Sequence, residues 1–528
     1  MADRKGRGKA GTRTGRSRKS TTGQRAGSEA QTAPAGDHDA LTRNLATSIV
    51  APPLLEALEN ARSADRLPVI IDLNLLHPQG LDYCKAQAET QIATLCRRHR
   101  RKETGADPLK SRYSPQYLFA LLSKKQLLAL VSENTGELRA SEQQPPRLIY
   151  KLWPDFEVQA LLTRSAATVK ADAARISFSA EGDGICWAVI DSGIDGTHPH
   201  FAAHGNLRLE QAAPLQHMDF TGAAAQAVEV PEDPYGHGTH VAGIIAGEGL
   251  DAAARRGAYR RFEPATGDVS YAAEADVGPI AGIAPKTRLL SLRTLDEFGQ
   301  GRVSSLIAAL GYVATLNEQG RWLRVHGVNL SVGYEFDAEW FACGQSPLCV
   351  EVDRLVRSGV SVVVAAGNTG YGNVSSQAIA QFKTALDLTI NDPGNAELAL
   401  TVGATHRDSP HQYGVSYFSS KGPTGDGRAK PDLVAPGEKI MSCAAGKAGA
   451  DIGERVGERV QYREESGTSM AAPHVSGAIA AFMSVRREFR GRPEALKKIF
   501  MDSATDLGRD RYFQGRGVLD LMRAIQSV

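Results

Sequence analysis

The chain has 528 residues, too many for one ordinary core, so two or more structural units are expected. Hydrophobic residues at 42% and charged residues at 23% are the proportions of a globular protein and exclude a largely disordered chain. A net charge of +2 excludes the molecule as a whole from the polyanion binders.

Positive charge concentrates at the start. Residues 1–20, MADRKGRGKAGTRTGRSRKS, hold eight Lys or Arg against the single acid Asp3. Residues 1–45 therefore read as a disordered basic arm, with loose contact to nucleic acid or an acidic partner as its alternative use. The arm lacks the apolar stretch of a signal peptide, and no apolar run approaches the roughly 18 residues of a membrane helix. The expectation is a cytoplasmic protein without a membrane partner.

Residues 46–165 read as a small α+β domain. LPVIIDLNL (67–75) has the pattern of a strand and YCKAQAETQIATLCRRH (83–99) that of an amphipathic helix. RYSPQYLFALLS leads into a helix over 123–133, and RLIYKLW (147–153) is a further strand. Such an order suits a sheet covered on one face.

From residue 166 to 528 the pattern becomes α/β. ICWAVID (185–191), TRLLSLRT (287–294), VHGVNLSV (325–332), VSVVVAAG (360–367) and ALTVGAT (399–405) are nearly continuous apolar runs. Strands buried on both faces of a parallel sheet look like this. Between the second and third, Leu306, Leu310 and Val313 recur at helical spacing. The fold class is a doubly wound, mainly parallel sheet flanked by helices, which places sites beyond the carboxyl ends of its strands. Residues 248–280, 335–350, 370–398 and 443–465 are polar, Gly-rich or irregular and read as surface insertions. Cys84, Cys96, Cys186 and Cys443 are expected reduced and buried; Cys343 and Cys349, in FACGQSPLC, could close a small loop or stand as two free thiols, the second being favoured. No Cys/His cluster suggests zinc, so no metal ligand is assigned.

Three stretches put a reactive side chain at a strand end or helix start. Asp191 ends a buried strand in AVIDSGID, His237 lies between glycines in YGHGTHVAG, and Ser469 opens the small-residue run GTSMAAPHVSG (467–477). A serine hydroxyl needs a base to take its proton, histidine titrates in the right range, and a buried carboxylate fixes the imidazole tautomer. Asn368, after the strand SVVVAAG, is placed to donate to an oxyanion. Ser466, Ser476, Asp195, His240 and His474 stand close by and read as loop, packing or turn residues. Pro473 reads as a first-turn helix proline.

DSGID, HGTHVAG, GIAP (282–285), NLSVG (329–333), AAGN, FSSKGPT (418–424), KPDLVAPG (430–437), GTSMAAPHVSG and GRGVLD (515–520) occur in that order. Together they resemble the subtilisin family of serine peptidases. The resemblance implies Asp191 as orienter, His237 as base, Ser469 as nucleophile and Asn368 as oxyanion donor, and hence endoproteolysis of protein or peptide substrates. Ser331, Val332 and Gly333 would cradle an extended substrate, with Ala366 and Gly367 lining the first specificity pocket, whose small uncharged residues imply broad or apolar preference. Residues 67–153 resemble the family's propeptide, an intramolecular inhibitor; a permanent N-terminal domain is the other reading. Calcium is compatible with the family, although the acids of 248–280 show no ligand spacing. A catalytically silent scaffold that binds peptides is the rival to the enzyme.

Overall fold

The computed structural model describes residues 49–62, 65–99, 104–111, 114, 116–135, 147–155, 164–209, 215–222, 224–251, 254–262, 269–335, 342–376 and 379–528. The expected basic arm lies outside the described residues. The chain divides between Val158 and Gln159 into two compact units.

In the first unit, helix α1 (Pro52–Asn60) precedes strand β1 (Arg66–Leu73), helix α2 (Leu81–Arg98), strand β2 (Gly105–Ala106), strand β3 (Tyr117–Ser123), helix α3 (Lys124–Thr135) and strand β4 (Ile149–Pro154). The strands pair antiparallel in the order β2-β3-β1-β4. Alternation along β1 and β3 turns Val69, Ile71, Leu73, Leu118, Ala120 and Leu122 to one face. They meet Cys84, Ala88, Ile92 and Leu95, which line one side of α2 at intervals of three and four.

The second unit is built on strands β5 (Cys186–Asp191), β6 (His217–Asp219), β7 (Gln226–Val228), β8 (Arg288–Arg293), β9 (Gly327–Leu330), β10 (Ser361–Ala365), β11 (Leu400–His406) and β12 (Leu433–Glu438). Among the described residues they form one eight-stranded sheet, β12-β11-β10-β9-β5-β8-β6-β7, parallel except for the β6–β7 pair. Along β5, Trp187 and Val189 enter one core while Cys186, Ala188 and Ile190 enter the other. The first core holds helices α4 (His237–Ile245) and α7 (Thr468–Val485); the second holds α5 (Val303–Leu316) and α6 (Pro347–Arg357). Because β8 and β9 flank β5 on opposite sides, the winding reverses there and opens a crevice beyond the end of β5.

Helix α7 runs through the first core with every residue from Met470 to Ser484 buried. Its small side chains let neighbours close in: a Cβ on Gly477 would stand 2.7 Å from Ile283 Cβ. Pro473 is not in the first turn. It lies inside the helix, which already begins at Thr468.

Parts of the expected insertions form regular elements. Strands Gly257–Phe262, Val269–Glu274, Ile440–Cys443 and Tyr462–Glu465 make a second four-stranded sheet, and Gly446–Val456 is a helix. Tyr371–Ser376 and Ile379–Ala385 form a hairpin. Exposed polar positions break up the apolar signal along 257–262 and 269–274, and the buried Arg463 and Glu464 do so along 462–465, so composition alone gave these strands no period. The six cysteines are free thiols; Cys96 is half-buried, against expectation, and the others are buried. No described helix is long and apolar enough to cross a membrane.

Several histidines are held without a proton. Burial lowers His200 to about 3 and His326 and His474 to about 4, and also lowers His198, His217 and His240. These groups take up protons near pH 6.5 when unfolded but not when folded, so stability falls as pH drops below that value. At pH 5, each of the three lowest should cost about 2 kcal/mol. Urea unfolding at pH 7.5 and pH 5 should show a large loss of midpoint for the second unit; equal midpoints would contradict the neutral burial of these rings.

Candidate active site

Strand β5 delivers Asp191 to the crevice with 0% of its surface exposed. Its Oδ1 accepts the Ser192 N–H at 2.7 Å and the His237 Nδ1–H at 2.7 Å. A carboxylate can only accept, so the proton of a neutral His237 sits on Nδ1 and leaves Nε2 as a lone pair. Burial of the ring disfavours its charged form, but the charge and hydrogen bond of Asp191 outweigh it and raise His237 above the ordinary imidazole value.

His237 is the first residue of α4, and the start of that helix is fixed from below. Asp233 is buried; its Oδ1 accepts Ser192 Oγ–H at 2.8 Å and Gly236 N–H at 2.7 Å. Its Oδ2 accepts the N–H and Oγ1–H of Thr239 at 2.8 and 2.6 Å. Burial raises the Asp233 carboxyl, while these four donors oppose the rise. Ser192 Oγ in turn accepts Gly238 N–H at 2.9 Å. A Cβ on Gly238 would lie 2.1 Å from Gly193 O, so only glycine lets this helix approach so near Asp191. Sequence reasoning missed Asp233. The available signal was an acid placed shortly before a predicted helix start, a capping pattern.

Ser469 stands in the first turn of α7. Its hydroxyl donates to Ser331 O at 3.0 Å and, in this conformation, is not hydrogen-bonded to His237. In return Ser331 Oγ donates to Ser469 O at 2.9 Å. That carbonyl is free because its helical partner would be the N–H of residue 473, which proline lacks. Ser331 follows β9, and Leu330 pairs in register with Ile190, so Ser331 lies beside Asp191 at the sheet's end. Neighbouring strands are about 4.8 Å apart, which brings the carboxylate and the alcohol to one rim.

Asn368 is exposed, and its Oδ1 accepts both the N–H and the Oγ1–H of Thr468, at 2.9 and 3.1 Å. Those bonds fix the amide with its NH2 turned away from Thr468. Thr468 Oγ1 also accepts Gly367 N–H at 3.1 Å, tying the end of β10 to the start of α7.

The substrate-lining expectations divide. Val332 is half-buried and Gly333 exposed beyond β9. Ala366 is different: it is 0% exposed, so its methyl belongs to the interior and only neighbouring Gly367 is partly exposed. The bypassed residues are occupied elsewhere. Ser466 Oγ accepts Lys439 N–H, Ser476 Oγ donates to Asn329, Asp195 closes a turn onto Thr197, His474 bonds Met470 O and His240 bonds Arg463 O. Among the described residues, no three His, Cys, Asp or Glu side chains gather to hold a metal ion.

A doubly wound sheet carrying a carboxylate–imidazole pair and a helix-borne serine at one rim defines a serine hydrolase. Residues 182–518 match the Subtilase family, and the chain belongs to it. Serine protease AprX of Bacillus subtilis (strain 168) is 30% identical over 372 residues, spanning 69% of this chain and 70% of that protein. Subtilisin E of the same strain is 27% identical over 350 residues, covering 65% and 66%. The major intracellular serine protease of that strain is 29% identical over 321 residues, covering 61% and 75%. The chain has the subtilisin-like α/β fold and is a subtilisin-like serine endopeptidase, acting on proteins or peptides.

Replacing Asp233 with Ala strips the acceptor from several buried donors at once. The expected destabilisation is at least about 3 kcal/mol, with Asp233→Asn losing less, measured by urea unfolding. An Asp233→Ala protein as stable as the parent would show that water supplies those donors.

Proposed function

We propose that Asp191, His237 and Ser469 are the catalytic triad and that Asn368 and the Ser469 N–H form the oxyanion site. The observation that carries this reading is the Asp191–His237 bond, which leaves Nε2 unprotonated toward the rim where Ser469 is anchored. Rotation about the Ser469 Cα–Cβ bond exchanges the Ser331 carbonyl for Nε2 as acceptor. His237 then takes the hydroxyl proton as Oγ forms its bond to the scissile carbonyl carbon. The carbonyl oxygen becomes an oxyanion against Asn368 Nδ2–H and the Ser469 N–H, one of the unpaired donors at a helix start. Collapse breaks the C–N bond, and the same proton passes from His237 to the leaving amine. Water repeats the sequence on the acyl-enzyme, releasing the acid and restoring Ser469.

Ser331, Val332 and Gly333 would hold the substrate as an added strand, with Gly367 at the first pocket and broad or apolar preference. The first unit would serve as a propeptide that occupies the cleft until cut. The basic residues 1–20 would add loose contact with nucleic acid or an acidic protein.

Ser469→Ala should lower turnover by roughly 10⁶ and abolish fluorophosphonate labelling, while Asn368→Ala should lower turnover by roughly 10²–10³ and leave labelling detectable. Labelling that survives in Ser469→Ala would remove the nucleophile assignment, and a parent chain that never labels would favour a silent scaffold. Since Asp191 raises His237, the acid limb of kcat/KM should have its midpoint above pH 6.5. The linked stability has the opposite sense: it is fully present below about pH 6.5 and is lost as pH rises through the folded value.

Mass spectrometry of the purified N-terminus tests the propeptide. A new terminus between the two units in the parent, and an intact chain in Ser469→Ala, is the expected pair of results. An intact, fully active parent would make the first unit a permanent domain.

A further inference from the structure

Arg463 lies six positions before Ser469 in QYREESGTSM, on the strand Tyr462–Glu465 of the second sheet, and is 3% exposed. Its Nη1 pairs with Glu465, its Nη2 donates to Gly236 O at 3.2 Å, and its Nε is buried without an acceptor. A guanidinium in such a place is poor for stability, because an apolar side chain of similar size avoids the desolvation and the orphaned donor. What it touches gives it a use. Gly236 is the residue immediately before His237.

We propose that Arg463 is a positioning residue for His237, holding the backbone that carries the imidazole and placing a buried positive charge against it; this rests on His237 being the general base. The whole approach to His237 is gripped by the same stretch of chain. Pro234 O accepts Lys447 N–H at 2.7 Å and Tyr235 O accepts Ala448 N–H at 3.1 Å, both donors coming from the first turn of the helix Gly446–Val456. Gly236 O is taken by Arg463. All three carbonyls leading into the base are thus held by residues 447–463, and the strand that bears Arg463 continues directly into the turn of Ser469.

The charges facing the imidazole come from several elements. Asp191 ends β5, Asp233 lies in the preceding loop, Tyr235 places its ring centroid 6.5 Å away, His240 is one turn along α4, and Arg463 with Glu465 comes from the second sheet. Burial lowers Arg463 to about 10, so it remains a cation at neutral pH. It opposes protonation of His237 where Asp191 and Asp233 favour it. Two carboxylates acting alone would hold the imidazole protonated to higher pH; the guanidinium limits that effect, and Glu465 limits the guanidinium.

The test is a titration of the intact chain with ring-labelled histidine by NMR, the His237 signal being assigned from its loss in His237→Gln. In Arg463→Met the His237 midpoint should move up by about 0.5–1 pH unit, and in Glu465→Gln, where the cation loses its partner, it should move down by a similar amount. Arg463→Lys keeps the charge but cannot span Gly236 O and Glu465, so its midpoint should stay near the parent value while kcat falls about tenfold. The acid limb of kcat/KM should follow the same three directions. Should Arg463→Met fail to fold, the Glu465→Gln shift decides, since Glu465 is 31% exposed and tolerates an amide. Midpoints unchanged in every folded variant would overturn the proposal. The titration needs no turnover, so a chain with shifted midpoints and no peptidase activity would instead sink His237 as the base.

Discussion

The Asp191 carboxylate has no exposed surface, and a group of that kind persists only where donors replace the water it has lost. Two donors reach Oδ1, the Ser192 N–H and the His237 imidazole, while Oδ2 is buried without a partner. Half of the carboxylate's compensation therefore comes from a residue on another element. The start of α4 has to stand close to the end of β5, and several features follow from that demand. Gly238 lies against Gly193 because no larger residue fits, and Asp233 and Ser192 lace the helix start to the strand end. The contact that fixes the imidazole tautomer is thus inseparable from what makes the buried acid tolerable.

Ser469 is secured by a different exchange. A proline inside a helix deletes one hydrogen bond, and at Pro473 the orphaned acceptor is the carbonyl of Ser469. Ser331 supplies the missing donor and receives the Ser469 hydroxyl in return. The break in the helix is what couples α7 to the strand end next to Asp191. Farther along the sheet, Lys430 and Asp432 of KPDLVAPG perform a similar service. Lys430, lowered to about 7 by burial, donates to Ala399 O, Thr401 and Asp432, while Asp432 accepts Thr401 N–H, locking β12 to β11.

These two halves differ in how openly the sequence declared them. The five apolar runs became β5, β8, β9, β10 and β11 because burial on both faces removes polar residues from a strand altogether, a signal that survives without knowledge of the partner strands. Ser469, His237 and Asp191 stood out because small residues and glycines crowd around each. Asp233 and Arg463 did not, since a charged residue in sequence gives no sign of being buried until the elements around it are placed. Pro473 was misplaced by one turn for a related reason. Proline favours a first turn in an isolated helix, and only a tertiary donor such as Ser331 makes an interior position affordable. The strands at 257–262 and 269–274 were hidden by their exposed polar positions, and the strand at 462–465 by polar residues, Arg463 and Glu464, that are buried.

The hidden elements are not randomly distributed. The sheet and α7 hold Ser469, Thr468 and Asn368, using residues that lie in NLSVG, AAGN and GTSMAAPHVSG. The second sheet and the helix Gly446–Val456 instead hold the approach to the histidine, through backbone donors and one guanidinium. A backbone donor places no demand on side-chain identity, so the exposed positions of 446–456 can vary while the first turn still binds Pro234 and Tyr235, although close approach fixes Gly446 and burial fixes Ile452. Ser469 is bound to the end of the sheet, whereas the approach to His237 is held by a segment whose outer surface is exposed. Substitutions that tilt this helix or recharge the strand beside it would reach His237 through the carbonyls of Pro234, Tyr235 and Gly236, whereas Ser469 is held by its two bonds to Ser331.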